Sequence, residues 1–229
     1  MPPVLPTPDA RLVSEFERFL KRPPYPCVGA KSALAKGQIE YMTGRDIRSG
    51  WNDLPIIKGL QRFAAGYRQS PRMFQSFVVI FEGPLSMKEE AFETALWARA
   101  QSLHDKDVWM GSRYDARVSP DPGDDDFGLS FGGEAFFIVG LHPRASRKAR
   151  RFRRPALVFN LHDQFERLRA SGKYEGMRSK ILQRDRNWSG SINPMLAVHG
   201  TISEARQYSG RAVDEDWSCP FQPRIGAGT

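Results

Sequence analysis

The chain has 229 residues, of which 40% are hydrophobic and 26% are charged, a composition typical of a globular protein that can bury a sizeable core. Its formal net charge of +8 favours anionic partners without identifying one. No apolar run approaches the ~20 residues that a membrane helix needs, and the N-terminus lacks the features of a secretory signal. Two isolated cysteines, Cys27 and Cys219, exclude a disulfide framework and favour a reducing, cytoplasmic compartment.

The first third of the chain is predicted to be mostly helical. Thr7 and Pro8 are typical of a helix start, with Thr7 as the N-cap and Pro8 at the first helical position. Apolar residues then recur at helical spacing until the prolines of "RPPYPC" (22–27), which end the helix because proline lacks the backbone N–H. A second helix is predicted over 55–68, where apolar residues again share one face.

The middle of the chain alternates strands with helices. "SFVVIFEGP" (76–84) is a β-rich run closed by Gly-Pro, and it predicts a strand. Ser86 and Glu89 form the signature of a capping box, which predicts a helix with Ser86 at its N-cap. Proline, glycine and aspartate mark 119–130 as a loop, and two further strands are predicted at 134–141 and 155–160.

The last third is predicted to add a helix from about 162, a segment of helical spacing in "YEGMRSKIL", and a strand in "NPMLAVHG" (193–200). This order predicts an α+β fold with a mixed or antiparallel sheet flanked by helices and a helical N-terminal section. No internal repeat or low-complexity linker divides the chain, so we predict one domain over residues 1–229.

Two of the four histidines stand out by their position. His142 and His162 each directly follow an apolar strand, in "AFFIVGLH" and "ALVFNLH". Strand ends commonly present functional groups into a pocket, although a histidine of a turn or a helix cap is the alternative reading for each. No histidine or cysteine pair has the spacing of a structural zinc site.

A basic segment, "RASRKARRF", follows His142 directly. Nucleic-acid binding would need basic side chains along a groove, with stacking aromatics, and no nucleic-acid-binding motif accompanies this compact segment. Arginines clustered in this way can instead bind carboxylates or phosphates with two parallel hydrogen bonds.

Cys219 and three glutamates complete the candidate residues. Cys219 lies in "WSCPF", where it is either an inert buried residue or a thiolate ligand to a soft metal or a heme iron. Glu82 ends a predicted strand, Glu134 begins another, and Glu204 lies in "SEARQYSGR". Each carboxylate can pair with an arginine of the protein or bind a cationic ligand such as a guanidinium.

Several long stretches together resemble the YqcI/YcgG family: "PPYPCVGAKSAL", "FETALWARAQSLHDKD", "FFIVGLHPRASRKARRF", "ALVFNLHDQFERLRASGKYEGM", "GSINPMLAVHGTISEARQYSGR" and "WSCPF". They cover most of residues 23–221. The resemblance implies a heme-dependent N-hydroxylase that acts on the guanidine group of arginine or an arginine-like amino acid. It also implies heme b as the cofactor, with O₂ or peroxide as the oxidant.

The resemblance implies a role for each candidate group. For the axial heme ligand we favour His142, with Cys219, His162 and His199 as alternatives. The propionates would pair with Arg144, Arg147 and Arg151, and the guanidinium of the substrate would pair with Glu82, Glu134 or Glu204.

Two further hypotheses compete with this reading. A non-enzymatic heme carrier or sensor would bind heme without turning over a guanidino compound, and a basic nucleic-acid-binding protein would bind no heme. For the enzyme, the net positive charge favours an acidic electron-transfer protein as a partner.

Overall fold

A mixed β-sheet lies at the centre of the protein, with helices packed on both of its faces. The structure, a computed structural model, describes residues 6–191 and 202–224. Its helices are α1 (Ala10–Lys21), α2 (Val28–Ala35), α3 (Asp53–Gln69), α4 (Glu89–Trp109), α5 (His162–Ala170), α6 (Tyr174–Ser189) and α7 (Ala205–Tyr208). Its strands are β1 (Ile39–Asp46), β2 (Ser76–Gly83), β3 (Leu129–Phe131), β4 (Glu134–Leu141) and β5 (Ala156–Leu161).

The strands follow the order β1-β2-β5-β4-β3 across the sheet. The pairing of β1 with β2 is parallel, and the other three pairings are antiparallel. The prediction of an α+β fold with a mixed or antiparallel sheet, flanked by helices and preceded by a helical section, is therefore confirmed.

The inner strand β2 is buried on both faces, and it separates two hydrophobic cores. Phe77 and Val79 belong to the core that α3 and α4 cover. Val78 and Ile80, which alternate with them, belong to the core that α1 covers with Leu12 and Phe16 among others. Alternating side chains point to opposite faces of a strand, so a continuous apolar run such as "FVVIF" is what a strand between two helical layers needs.

Helix α1 begins later than the sequence predicted. Its N-cap is Asp9, whose Oδ1 accepts hydrogen bonds from the backbone N–H of Arg11 at 2.8 Å and of Leu12 at 3.4 Å. The prediction of Thr7 as N-cap and Pro8 as the first helical residue was wrong. An aspartate two residues further along supplies an equally good acceptor for the N–H groups of the first turn.

The capping box predicted for α4 was also wrong. The helix begins at Glu89 after Lys88, and Lys88 makes no side-chain capping hydrogen bond. The Glu89 carboxylate instead accepts hydrogen bonds from Ser146, from its N–H at 2.8 Å and from its Oγ at 2.9 Å. Glu89 thus ties the basic segment to the start of α4.

Four elements were not predicted from the sequence: the helices α2 and α7 and the strands β1 and β3. Helix α7 has only four residues, and the other three elements have no regular apolar spacing that would indicate them. Strand β1 is an edge strand whose side chains are mostly half-exposed or exposed. The strand predicted at 193–200 lies outside the described residues. Among the helices that the structure does describe, none is both long and apolar enough to cross a bilayer.

Candidate functional site

The antiparallel pairing of β4 with β5 places His142 and His162 at opposite ends of the sheet. Leu141, which ends β4, pairs with Ala156 at the start of β5, and Leu161, which ends β5, pairs with Phe136 near the start of β4. Six residue pairs of β4 and β5 therefore lie between His142 and His162, which separates the two histidines by roughly 20 Å. The two histidines therefore belong to different sites.

His142 is enclosed by the protein. It is only 1% exposed, and its ring stacks on Phe92 of α4 with 4.4 Å between the ring centroids. Burial, together with the positive charge of Arg150 nearby, lowers the pKa of His142 to about 4, although Glu89 acts in the opposite direction. His142 is thus a neutral, packed side chain, and it lines neither of the two cavities described below.

The arginines that follow His142 hold their own segment in place. Arg147 pairs with Asp185 of α6, and Arg151 donates to the carbonyl oxygens of Ala145 at 2.7 Å and Ser146 at 2.9 Å. Arg144 is exposed, with one long contact of 3.4 Å to the carbonyl oxygen of Ser86. None of these three arginines lines a described cavity, and their role toward heme propionates stays a prediction.

Arg150, in the same segment, contacts three backbone carbonyl groups. Its guanidinium donates to the carbonyl oxygens of Gly140 at 3.1 Å, Tyr208 at 3.1 Å and Gln207 at 3.0 Å. It therefore joins β4, α7 and the basic segment. Glu82 also lies at this end of the sheet, where its side chain is exposed and its carbonyl oxygen accepts from Arg154 at 2.9 Å.

The other end of the sheet carries a cavity of about 250 Å³, which we call the acidic cavity. His162 and Asp163 reach it because β5 runs directly into α5 there. The cavity is lined by Asp115, Arg117, Asp126, Ala135, His162, Asp163 and Glu166. Four of these side chains are carboxylates and one is a guanidinium, so the cavity favours a cationic ligand.

Arg117 links the carboxylates of the acidic cavity. It binds Asp115 through two hydrogen bonds, from Nε at 2.8 Å and from Nη2 at 2.6 Å, and Nη2 also donates to Glu134 at 2.6 Å. Its Nη1 lies 3.5 Å from Asp163, which accepts a 2.5 Å hydrogen bond from the Tyr67 hydroxyl. Burial acts to raise the pKa of Asp115, but the hydrogen bonds from Arg117 outweigh it and hold that pKa below its ordinary value.

His162 lies between two carboxylates, one of which, Glu166, also lines the acidic cavity. Its Nε2 is 3.8 Å from Glu204, and its Nδ1 is 3.8 Å from Glu166. The imidazole is 7% exposed and Glu204 is 8% exposed, so both are held in a largely dry environment. Two of the three predicted substrate carboxylates, Glu134 and Glu204, thus lie beside the acidic cavity, whereas Glu82 lies at the other end of the sheet.

A second and larger cavity adjoins the acidic one. It has a volume of about 580 Å³, and we call it the Cys219 cavity. It is lined by Asp121, Pro122, Gly123, Asp125, Ile202, Ser203, Arg206, Trp217, Ser218 and Cys219. The two cavities are neighbours, because Asp125 lines the Cys219 cavity and Asp126 lines the acidic cavity. Ser203, which lines the Cys219 cavity, also precedes Glu204, which lies 3.8 Å from His162 of the acidic cavity.

The position of Cys219 is fixed by the aromatic residues on either side of it. Phe221 is buried, and Trp217 packs against the same core, with both rings near Trp97 of α4. His104 adds a hydrogen bond, because its Nε2 accepts from the N–H of Arg224 at 2.9 Å. Burial raises the pKa of the Cys219 thiol to about 12, so the free thiol is protonated at neutral pH.

Sequence reasoning missed several lining residues, namely Asp115, Arg117, Asp126 and Arg206. Asp115 and Arg117 are two residues apart in "YDARV", which is a spacing that a local ion pair can use, but no sequence rule connects that pair to Glu134. His199, the fourth predicted heme ligand, lies outside the described residues.

Fold and cavities together define a class of α+β protein whose mixed sheet ends in two adjoining cavities, one acidic and one lined by a cysteine. A family model described as the YqcI/YcgG family matches residues 16–222, and the chain belongs to that family. No curated protein and no solved structure matches the chain.

Proposed function

We propose that the protein is a heme-dependent oxygenase that hydroxylates a guanidine nitrogen of arginine or an arginine-like amino acid. The resemblance set out above supplies the reaction class. The observation that carries the proposal is the adjoining pair of cavities, since one presents carboxylates to a cation and its neighbour presents a sulfur donor.

The residues of the Cys219 cavity fit a heme group. Its volume of about 580 Å³ is within the usual range for cofactor pockets. Trp217, Pro122 and Ile202 offer apolar contact, and Cys219 offers a sulfur donor of the kind that binds heme iron. Among the described residues that line it, Arg206 is the one cation that could face a propionate. Iron binding would displace the thiol proton, as metal coordination does for other thiols.

The acidic cavity fits the guanidinium of the substrate. A guanidinium offers a planar fork of N–H donors that matches carboxylate oxygens, and Asp163 and Glu166 line the cavity from α5. His162, beside Glu204, lies where it can contact the bound guanidinium, while the carboxylates orient it. Bound heme would supply the oxygen chemistry, and the chain would supply binding and orientation.

The proposal includes O₂ or peroxide as the oxidant, a cytoplasmic location and an acidic electron-transfer partner. The net charge of +8 favours such a partner through long-range attraction. Turnover supported by an acidic reductase should therefore fall as the salt concentration rises, and turnover that is independent of salt would contradict this part of the proposal.

The decisive experiment is an absorption spectrum of the purified full chain after titration with hemin, before and after reduction and addition of CO. We expect one heme per chain and hydroxylation of free L-arginine or an analogue. Protein that binds no heme would overturn the proposal. Protein that binds heme but hydroxylates no guanidino compound would favour the alternative of a heme carrier or sensor.

The axial ligand is tested with four variants: Cys219→Ser, His162→Ala, His142→Ala and His199→Ala. We expect Cys219→Ser to change the ferrous–CO spectrum, because thiolate and imidazole ligands give different bands, and His142→Ala to leave it unchanged. A normal spectrum for Cys219→Ser, with loss of heme from one histidine variant, would assign the iron to that histidine.

A further inference from the structure

The acidic cavity already holds a guanidinium, and that guanidinium belongs to the protein itself. Arg117 makes two parallel hydrogen bonds to Asp115, a third to Glu134 and a longer contact of 3.5 Å to Asp163. This is the arrangement with which carboxylates bind any guanidinium group. The protein's own side chain thus makes the contacts that a guanidino ligand would make.

The carboxylates need a cation. The Asp115 and Glu134 side chains are 4% and 6% exposed, and two buried carboxylates without a counter-charge would be strongly destabilising. Arg68 reaches Glu134 only at 3.5 Å, so Arg117 supplies most of the compensation. A cationic ligand in the same place would supply it equally well.

Arg117 is also the part of this arrangement that is able to leave. Its side chain is 53% exposed, so it reaches the carboxylates from the solvent side. Asp115 would stay in place without it, because the N–H of Ala135 donates to Asp115 Oδ2 at 2.8 Å and the N–H of Arg117 donates to Oδ1 at 3.0 Å. Backbone N–H groups therefore hold the Asp115 carboxylate, whereas the guanidinium that binds it belongs to a long, half-exposed side chain.

We propose that Arg117 is an internal placeholder, whose guanidinium fills the acidic cavity in the ligand-free protein and is displaced when a guanidino ligand binds. The inference rests on the proposed function for the class of ligand, and it adds how that ligand gains access to the cavity. Displacement lowers the apparent affinity of the ligand, because only molecules with Arg117 swung out are competent to bind. Removal of the Arg117 guanidinium should therefore strengthen binding rather than weaken it.

The test is a calorimetric titration of the full chain with agmatine and L-arginine, and with L-citrulline as the neutral analogue. We expect Arg117→Ala to bind agmatine at least tenfold more tightly than the wild-type protein does. We expect Arg117→Lys to fall between the two, since lysine keeps the charge but loses the planar fork. Citrulline should bind none of the three proteins measurably, because its ureido group lacks the positive charge of a guanidinium.

Arg211→Ala is the matched control. Arg211 also makes paired hydrogen bonds to a buried carboxylate, to Glu93 at 2.8 and 2.5 Å, but it lines neither cavity. The control should lose stability without gaining affinity for agmatine. An equal gain in Arg211→Ala, or weaker agmatine binding in Arg117→Ala than in the wild type, would overturn the inference.

A second measurement covers the case in which Arg117→Ala does not fold. In the wild-type protein, the ¹⁵N side-chain resonance of Arg117, assigned by its absence in Arg117→Lys, should shift on addition of agmatine and stay unchanged with citrulline. A resonance that agmatine does not move would contradict displacement. Binding is measured without turnover, so the two proposals can fail separately. If the Arg117 variants bind agmatine more tightly but no hydroxylated product forms, only the proposed function is refuted. If the protein hydroxylates a guanidino compound but the variants bind no more tightly, only the displacement of Arg117 is refuted.

Discussion

The two ends of the sheet carry the same sequence feature, a histidine directly after an apolar strand, and they use it differently. At the end that holds His142, the imidazole is stacked on Phe92 and the arginines that follow bind carbonyl oxygens and carboxylates of neighbouring elements. At the end that holds His162, the imidazole and several carboxylates face a cavity. We call the first the closed end, because its side chains contact one another and neighbouring elements, and the second the open end, because its side chains line a cavity.

The difference follows from what comes after each strand. After β4 the chain must turn back to enter β5, and the N–H of His142 donates to the carbonyl of Arg150 at 3.1 Å across that turn. After β5 the chain enters α5 without a turn, so side chains of its first residues can point past the end of the sheet. The same residue type thus closes a loop in one place and lines a cavity in the other.

The largest expected effect is on the closed end. Replacing Arg150 with Ala removes three hydrogen bonds to carbonyl oxygens from β4 and the α7 region, and we expect the free energy of unfolding to fall by about 3 kcal/mol. Urea denaturation measures the change. Arg151→Ala is the control, since Arg151 bonds only within its own segment, and it should cost about 1 kcal/mol. A larger loss for Arg151→Ala would contradict the role given to Arg150.

The second effect is a dependence of stability on pH. Burial lowers the pKa of His142 to about 4 in the folded protein, whereas the unfolded value is about 6.5. The contribution of the neutral imidazole to the free energy of unfolding is therefore fully present above pH 6.5 and is lost as the pH falls toward 4. The reason is that the histidine of the unfolded chain is protonated at a higher pH than that of the folded protein. The loss from this group should be about 3 kcal/mol.

His142→Phe removes that titration while keeping a ring on Phe92. Unfolding free energies measured at pH 7 and pH 4.5 should therefore differ less in the variant than in the wild-type protein. Nearby Glu89 opposes the lowering of the pKa and Arg150 adds to it, so both stay in place in this comparison. An unchanged difference between the two pH values would show that His142 is not the buried neutral group.

The sequence was sufficient for the parts of the fold that apolar spacing controls. Helix α4 and the strands β2, β4 and β5 were predicted within a few residues, because each has a long apolar run or face. The edge strand β1 was missed, since an edge strand half-open to solvent needs no regular apolar pattern and its pairing with β2 depends on distant residues. The starts of α1 and α4 were wrong because several neighbouring polar residues can serve as caps.

The candidate site was harder to predict for a physical reason. Glu134 and Glu204 were named from the sequence. The contact of Glu134 with Arg117 and that of Glu204 with His162 depend on the directions of the strands and on residues far apart in the chain. Whether His142 and His162 share a site depends on the parallel or antiparallel pairing of β4 and β5, which local patterns do not encode. Once that pairing is known, the separation of the two histidines follows directly.

The smallest expected effect, that of Glu82→Gln, gives the sharpest contrast between the two ends. The Glu82 side chain is exposed at the closed end, so the variant should change the free energy of unfolding by less than about 0.5 kcal/mol and leave agmatine binding unaltered. Glu204→Gln, at the open end beside His162, should weaken agmatine binding about tenfold, or ~1.4 kcal/mol, because it removes a carboxyl group that lies 3.8 Å from His162 of the acidic cavity. Calorimetric titration of both variants measures the difference. If Glu82→Gln weakened binding as much as Glu204→Gln, the ligand would contact both ends of the sheet and the closed end would not be purely structural.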